Sequence, residues 1–330
     1  MDPLLITVVV IALVFDYTNG FHDAANAVAT SISTRAVPPN IALAGAALLN
    51  VLGALISTSV AGTLAKGIVD PHAVTETVIL GGVLGAIFWN LLTWWWALPN
   101  SSSHCLIGGI AGAVLATQGT SKVKWAAIVD KVLIPTVAAP LVGFTIAVLL
   151  MIFLMWLLRN TNPGPANRRF RLAQIASASF MAFSHGSNDA QKTMGIITLT
   201  LFAAKQIPDL TVPLWVKLAS AIVIGLGTYS GGKRIIRTLG MRLVKLSPVQ
   251  GFAAETAASG VLFGTAHFGF PVSTTHVITS AVMGVGAVQR LSAVKWGLTF
   301  NIFLAWVTTL PMAGAVGALC ALATTWLFGK

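Results

Sequence analysis

The chain has 330 residues, of which 56% are hydrophobic and only 9% charged, and its 20 Lys and Arg outnumber its 9 Asp and Glu. Ordinary globular domains carry roughly 25% charged residues, so a soluble enzyme, a disordered chain and a disulfide-built scaffold are all excluded. The surplus positive charge lies between apolar runs, the pattern of a multi-pass membrane protein with cationic cytoplasmic loops and not of a nucleic-acid binder.

A helix needs roughly 20 apolar residues to cross the hydrocarbon core. The first apolar run, residues 4–15, ends at Asp16 and continues through Asn19, His22, Asp23 and Asn26. No cationic segment precedes it, so it does not read as a cleaved leader. Asp16 reads as lying closer to the interface. Full-length spans are expected at residues 41–64, 74–98, 135–158, 213–229, 252–270 and 301–328. The run 172–202 is interrupted by His185, Asn188, Asp189, Gln191 and Lys192. Both polar runs are expected to break the helices that carry them. Trp94, Trp95 and Trp96 read as an interfacial anchor, and Cys105 and Cys320 as small packing residues. Asn100-Ser101-Ser102 matches a glycosylation sequon, read as coincidental at the start of a membrane helix.

Charge sets the orientation. A basic Pro/Gly/Asn-rich linker at 159–171 and a second basic loop at 233–245 are placed in the cytoplasm. With five crossings per half, Arg35, Arg290 and Lys295 join them. Lys66, Lys122, Lys124, Lys131, Lys205, Lys217 and Lys330 fall outside, and both termini are expected to be extracellular.

The chain repeats itself. Residues 19–26 (NGFHDAAN) align with 185–192 (HGSNDAQK) at an offset of 166. Residues 98–104 (LPNSSSH) align with 270–276 (FPVSTTH) at 172, and Lys124-Trp125 with Lys295-Trp296 at 171. The expected units are 1–158, the linker 159–171, and 172–330. An odd number of crossings per half turns the second copy upside down, as in secondary transporters whose site lies at the midplane between inverted repeats. The fold expected is all-α and polytopic, with broken or re-entrant helices and about ten to twelve transmembrane segments.

The hydroxyl blocks Ser101, Ser102, Ser103 and Ser273, Thr274, Thr275 each follow a proline and open a new apolar run. Helix N-termini present unpaired N–H groups and the positive end of the macrodipole. Two of them facing each other would clamp a tetrahedral anion. The plainer alternative is that the hydroxyls only cap their own helices. Asp23 and Asp189 are ionisable groups inside apolar segments, where even lenient scales charge about 2.5 kcal/mol, so they are functional candidates. Together they can coordinate Na+ or take up a proton. Asn19, Asn26 and Asn188 would complete an oxygen shell or donate to the anion. Lys192 replaces Asn26 in the second copy, and either neutralises Asp189 or binds the anion. Glu255 is a further coupling candidate. His22, His104, His185 and His276 lack the spacing of a helical metal pair and are expected to support their neighbours by hydrogen bonds.

These motifs resemble the inorganic phosphate transporter (PiT) family, through the two signatures at 19–26 and 185–190, the block PVSTTH at 271–276 and the segment NIFLAWV at 301–307. The likeness spans the whole chain. It implies an inverted-repeat transporter, not an enzyme, that takes up phosphate in symport with Na+ or H+ across the plasma membrane. It makes Asp23 and Asp189 the signature aspartates, and residues 101–103 and 273–275 the anion-facing hydroxyls. Many members carry an acid where Asn50 stands, with Glu255 matching the corresponding acid of the second half. His22 replaces the first signature's Asn. These departures look like the bacterial low-affinity permease branch, which is proton-coupled and carries metal–phosphate complexes. No separate cofactor is implied. The partners expected are a small inorganic anion, the bilayer and no nucleic acid, and the resemblance is compatible with a homodimer. Sulfate is the alternative substrate, since the family includes sulfate permeases. A channel would need rings of Lys or Arg, and a phosphohydrolase an unduplicated nucleophile–base pair; neither is found.

Overall fold

The computed structural model describes residues 2–328, so Lys330 lies outside the described residues. Among these residues there is no strand, only an isolated bridge between Val69 and Val123. The first half comprises α1 (Pro3–Ser33), α2 (Pro39–Ala54), α3 (Ser59–Gly67), α4 (Glu76–Trp95), α5 (Ser102–Gln118), α6 (Trp125–Ile128) and α7 (Ile134–Leu158). The second comprises α8 (Pro163–Ala203), α9 (Leu214–Ser230), α10 (Lys233–Arg237), α11 (Pro248–His267), α12 (Thr274–Gln289) and α13 (Trp296–Phe328). Of the stretch 159–171, only 159–162 is outside a helix.

Four spans are long and apolar enough to cross alone: α1, α4, residues 125–158 and α13. Two pairs are long and apolar enough only when taken together and are bent at the join, α2 with α3 by 67° and α9 with residues 233–243 by 59°. The expected single span at 41–64 is therefore two helices. The polar signatures, by contrast, do not break their helices. Both α1, 31 residues long, and α8, 41 residues long, run straight through them. Polarity alone does not end a helix, because each backbone N–H still finds its carbonyl four residues back. A proline would remove one of those bonds, and no proline lies within either signature.

The chain instead breaks at the hydroxyl blocks. α4 stops before Ala97, at φ 57°, and α11 before Gly269, at φ 74°; Pro99 and Pro271 follow. These equivalent left-handed residues make the tips of two hairpins, so that α5 and α12 start in the buried interior, as re-entrant elements do.

The two copies run in opposite directions. Along α1, Asp16 lies against Thr193, Asp23 against Asp189, and Thr34 donates to Gln174 at 2.7 Å. The α1 numbers rise as the α8 numbers fall, so equivalent helices are antiparallel and the repeats are inverted. They also interlock. α4 and α5 pack on α13 of the other half, and α11 and α12 pack on α7. Outward faces of α7 and α13 expose Val137, Leu149, Phe153, Phe303, Leu319 and Trp326, a lipid-facing surface.

Glycines fix where the signature helices cross. A Cβ on Gly186 would lie 2.2 Å from the carbonyl oxygen of Asn50 in α2. A Cβ on the equivalent Gly20 would lie 2.5 Å from that of Ile224 in α9. No side chain fits against a backbone at that distance, so each signature glycine lets α1 or α8 touch the opposite repeat. Gly186→Leu should cost more than the roughly 1–3 kcal/mol of ordinary overpacking and remove the monodisperse peak in size-exclusion chromatography. Gly260→Ala, with nothing within 4 Å of the new carbon, should leave that peak in place; equal behaviour of the two variants would refute the crossing argument.

Candidate functional site

The N-terminal ends of α5 and α12 meet beside the middle of α1 and α8. Ser103 Oγ donates to the carbonyl of Val272 at 3.3 Å, and the rings of His104 and His276 lie 5.1 Å apart. Asp23 of α1 stands between the two ends. Its Oδ2 accepts from Ser102 Oγ at 2.9 Å and its Oδ1 from Thr275 Oγ1 at 3.3 Å, while His22 Nδ1 lies 2.8 Å from Oδ1. Hydroxyls from both repeats thus converge on one carboxylate. Asn26, one turn on, donates through Nδ2 to Thr275 Oγ1 at 2.8 Å and Thr274 Oγ1 at 3.2 Å.

The second signature closes the other side. Lys192 Nζ lies 2.8 Å from Asp189 Oδ2 and donates to Ser102 Oγ at 2.9 Å. Ser102 therefore links the two signatures, accepting from Lys192 and donating to Asp23. His185 Nε2 is 3.5 Å from Asp189 Oδ2, and donor atoms of Asp23, His185 and Asp189 all lie within 4.8 Å of one another. All three are buried. The sequence pairs Asp23 with Asp189 but does not reveal His185 beside them, because its i, i+4 partner is an aspartate and not a second histidine.

The hydrogen-bond network assigns the His185 tautomer. Thr228 Oγ1 donates to the carbonyl of Ile224, so it accepts from Asn50 Nδ2, at 2.7 Å. That turns Asn50 Oδ1 towards His185 Nδ1, 3.1 Å away, which must donate. Nε2 is then the ring atom that faces Asp189 Oδ2, beside the ammonium of Lys192. The side-chain oxygens Asn26 Oδ1 and Asn188 Oδ1 are also buried and have no donor. Acceptors in such excess suit a cation.

Other expected residues have different tasks. Ser101 and Ser273 accept from the N–H of His104 and His276, each at 3.2 Å, so for these two the plainer capping role holds. Ser103 and Asn188, the latter through Nδ2 at 3.1 Å, both donate to the Val272 carbonyl, bracing the second hairpin tip against the first and against α8. His104 Nε2 pairs with Thr136 at 2.7 Å, and His276 stacks on Trp306 with centroids 4.0 Å apart; both hold the tips from outside the carboxylate cluster.

Glu255 is not part of the cluster. Its oxygens accept from Thr30 and Ser177, each at 2.5 Å, and from Gln174 Nε2 at 3.0 Å, two turns along α1 from Asp23. Nor are Glu255 and Asn50 counterparts, since they sit on α11 and α2, which occupy different places in the repeat. Asp16 is fully buried near the middle of the 31-residue α1, not close to its end. Asn100, in the formal sequon, is buried too. Gln191, read only as part of the polar interruption, caps α3 by accepting from Val60 N at 2.8 Å. Of the three tryptophans, Trp95 and Trp96 are exposed as anchors should be, while Trp94 and Trp95 both hold Arg234, 5.0 and 4.6 Å from their rings.

The sequence profile of the Phosphate transporter family matches residues 19–170 and 158–317, one match for each repeat. The chain belongs to this family. It is 48% identical over 321 residues to a Mycobacterium bovis protein named "Probable low-affinity inorganic phosphate transporter", covering 96% of this chain and 76% of that one. Proteins of the same name in Rhizobium meliloti and Bacillus subtilis are 46% and 42% identical, covering 96% and 97% of both chains in each case. Among solved structures, "The sodium-dependent phosphate transporter" superimposes with a TM-score of 0.90 at 24% identity, covering 98% of this chain and 99% of that one. The chain is therefore a multi-pass membrane transporter for a small inorganic anion and not an enzyme.

Because Ser101 and Ser273 only cap, Ser101→Ala and Ser273→Ala should each lower stability by about 1 kcal/mol, and Asn at either position should restore it. Thermal unfolding of the purified variants checks this; unchanged melting in both Ala variants would return the two hydroxyls to the anion.

Proposed function

We propose that this chain is a secondary active symporter that imports inorganic phosphate together with H+ or Na+, by alternating exposure of one midplane site. The observation that carries the reading is the convergence on Asp23 of half-helix N-termini from opposite repeats, with Lys192 and Asp189 completing the cluster. The names of the relatives support phosphate as the anion. No observation favours sulfate, which enters the test as a competitor.

Ser102, Thr274 and Thr275 already bond to Asp23, Asn26 and Lys192 in this conformation, so an incoming anion exchanges partners with them. Ser102, Thr274 and Thr275, with the N–H groups of α5 and α12, are the proposed anion donors. Asn26 and Asn188 orient them. Asp23 and Asp189, with His185 beside them, are the proposed coupling groups, with His22 holding Asp23 and Asn50 holding His185. Glu255, apart from this cluster, is proposed as a separate proton or cation station. Anion and cation bind together because each lowers the cost of the other in a medium of low dielectric constant. Phosphate carried as a complex with a divalent metal fits the same cluster of carboxylates and hydroxyls.

For alternating access we propose rocking of the two interlocked hairpin bundles, α4–α5–α13 and α7–α11–α12, about α1 and α8. We place both termini outside the cell, with the loops 159–162 and 231–247 inside. Single cysteines at these sites should divide between labelled and protected under an impermeant maleimide on intact cells.

The principal test is uptake of radiolabelled phosphate into proteoliposomes under an imposed pH or Na+ gradient, with excess sulfate. Asp23→Asn and Asp189→Asn should each abolish gradient-driven uptake while the protein stays folded. Ser102→Ala removes hydrogen bonds to charged groups, worth about 1.5–3 kcal/mol, and should raise KM for phosphate by about ten- to a hundredfold. Wild-type uptake by both aspartate variants would reject the coupling role, and labelled sulfate accumulating in place of phosphate would reject the substrate.

A further inference from the structure

We propose that Lys192 is a tethered cation, its ammonium taking the place of one of the monovalent ions that would otherwise accompany the anion, so that this transporter needs no Na+ at Asp189. The proposal rests on the symport reading above and adds to it which charge is built in.

Three observations carry it. The first is a break in symmetry. Lys192 occupies the position that Asn26 holds in the first repeat. Both side chains reach across to the hydroxyl block of the opposite repeat, Asn26 to Thr274 and Thr275, and Lys192 to Ser102. The geometry is shared, and only one copy adds a charge. The second is the charge count of the cluster. Two buried carboxylates, Asp23 and Asp189, approach each other beside His185, and Lys192 is the one Lys or Arg among the cluster residues. A dianion entering such a site raises the need for positive charge, which mobile cations or a fixed one must meet.

The third is where the ammonium sits. Lys192 is 1% exposed, and its Nζ lies on Asp189 Oδ2 at 2.8 Å and on Ser102 Oγ at 2.9 Å. Carboxylate and hydroxyl oxygens of this kind are what a small hard cation coordinates. An ammonium with three donors uses the same oxygens, but its four-carbon stem keeps it on α8. Through Ser102, which donates in turn to Asp23, it also polarises a hydroxyl that touches both signatures. A Lys–Asp pair with a merely structural task would not need that second contact across the repeats.

The test compares wild type with Lys192→Asn, which restores the residue of the first repeat, in NaCl and in choline chloride at constant pH. Phosphate uptake by the wild type should be the same in both salts. Uptake by K192N should be at least tenfold faster in NaCl and saturate with Na+. Thermal unfolding gives a second readout that needs no substrate: NaCl should raise the melting temperature of K192N over choline chloride, and leave wild type and the double variant Asp189→Asn/Lys192→Asn unmoved. Lys192→Gln, with the same amide on a longer stem, substitutes if K192N does not fold. A wild type that requires Na+ for uptake, or that Na+ stabilises through Asp189, would overturn the proposal. So would a folded K192N indifferent to Na+ in both readouts. Wild type that takes up no phosphate in any salt would overturn the symport reading instead, and the melting series would still decide the place of Lys192.

Discussion

Everything in this molecule is arranged around two carboxylates buried in a low-dielectric layer. Isolated there, Asp23 and Asp189 would each carry a desolvation cost that no amount of apolar packing offsets. They are tolerable because each has partners: Ser102 and Thr275, from the hairpins of opposite repeats, donate to Asp23, and Lys192, one turn on along α8, pairs with Asp189 while reaching across to Ser102. Satisfying the acids therefore requires the two repeats to interlock, and the interlocking is what forms the site. Stability and the proposed transport draw on the same hydrogen bonds.

The glycines and prolines make that arrangement possible at fixed places. Gly20 and Gly186 bring α1 and α8 against backbone of the other repeat, close enough for Asn50 to reach His185. Pro99 and Pro271, behind left-handed Ala97 and Gly269, end the first arm of each hairpin and release N-termini where donors are needed. The result is an anion-friendly end on each side of a cation-friendly cluster. Inversion of the repeats makes the two ends point at each other; parallel repeats would have put one dipole's negative end at the site.

The duplication is not perfect, and its flaws carry information. His22 and Asp23 form one kind of pair, His185 and Asp189 another, and Lys192 has no charged counterpart. Asn50 is neutral yet holds a defined position, fixing which ring nitrogen of His185 faces Asp189. Glu255 sits in its own nest of three neutral donors. A site built by duplication has drifted towards unequal halves, with fixed charge in one and neutral amides in the other.

Composition and repetition by themselves pointed to the membrane class, the duplication and the inversion, and singled out Asp23, Asp189, Ser102, Thr275 and Lys192, which the structure brings together in one buried cluster. These are legible because each depends on residue type and order along the chain. The sequence could not say that α1 and α8 run unbroken through their polar signatures, since polarity marks where a segment needs partners and not whether its backbone bends. Nor could it separate Ser101 and Ser273, which cap, from Ser102, which joins the two signatures, because neighbouring hydroxyls differ only in the direction their helix gives them. The removal of Glu255 from the cluster, the His185–Asp189–Asp23 group and the reach of Lys192 to Ser102 were decided by the tertiary structure alone. Each joins residues of different helices, most of them more than eighty positions apart. Only the crossing points of the packed helices bring such groups within hydrogen-bonding distance.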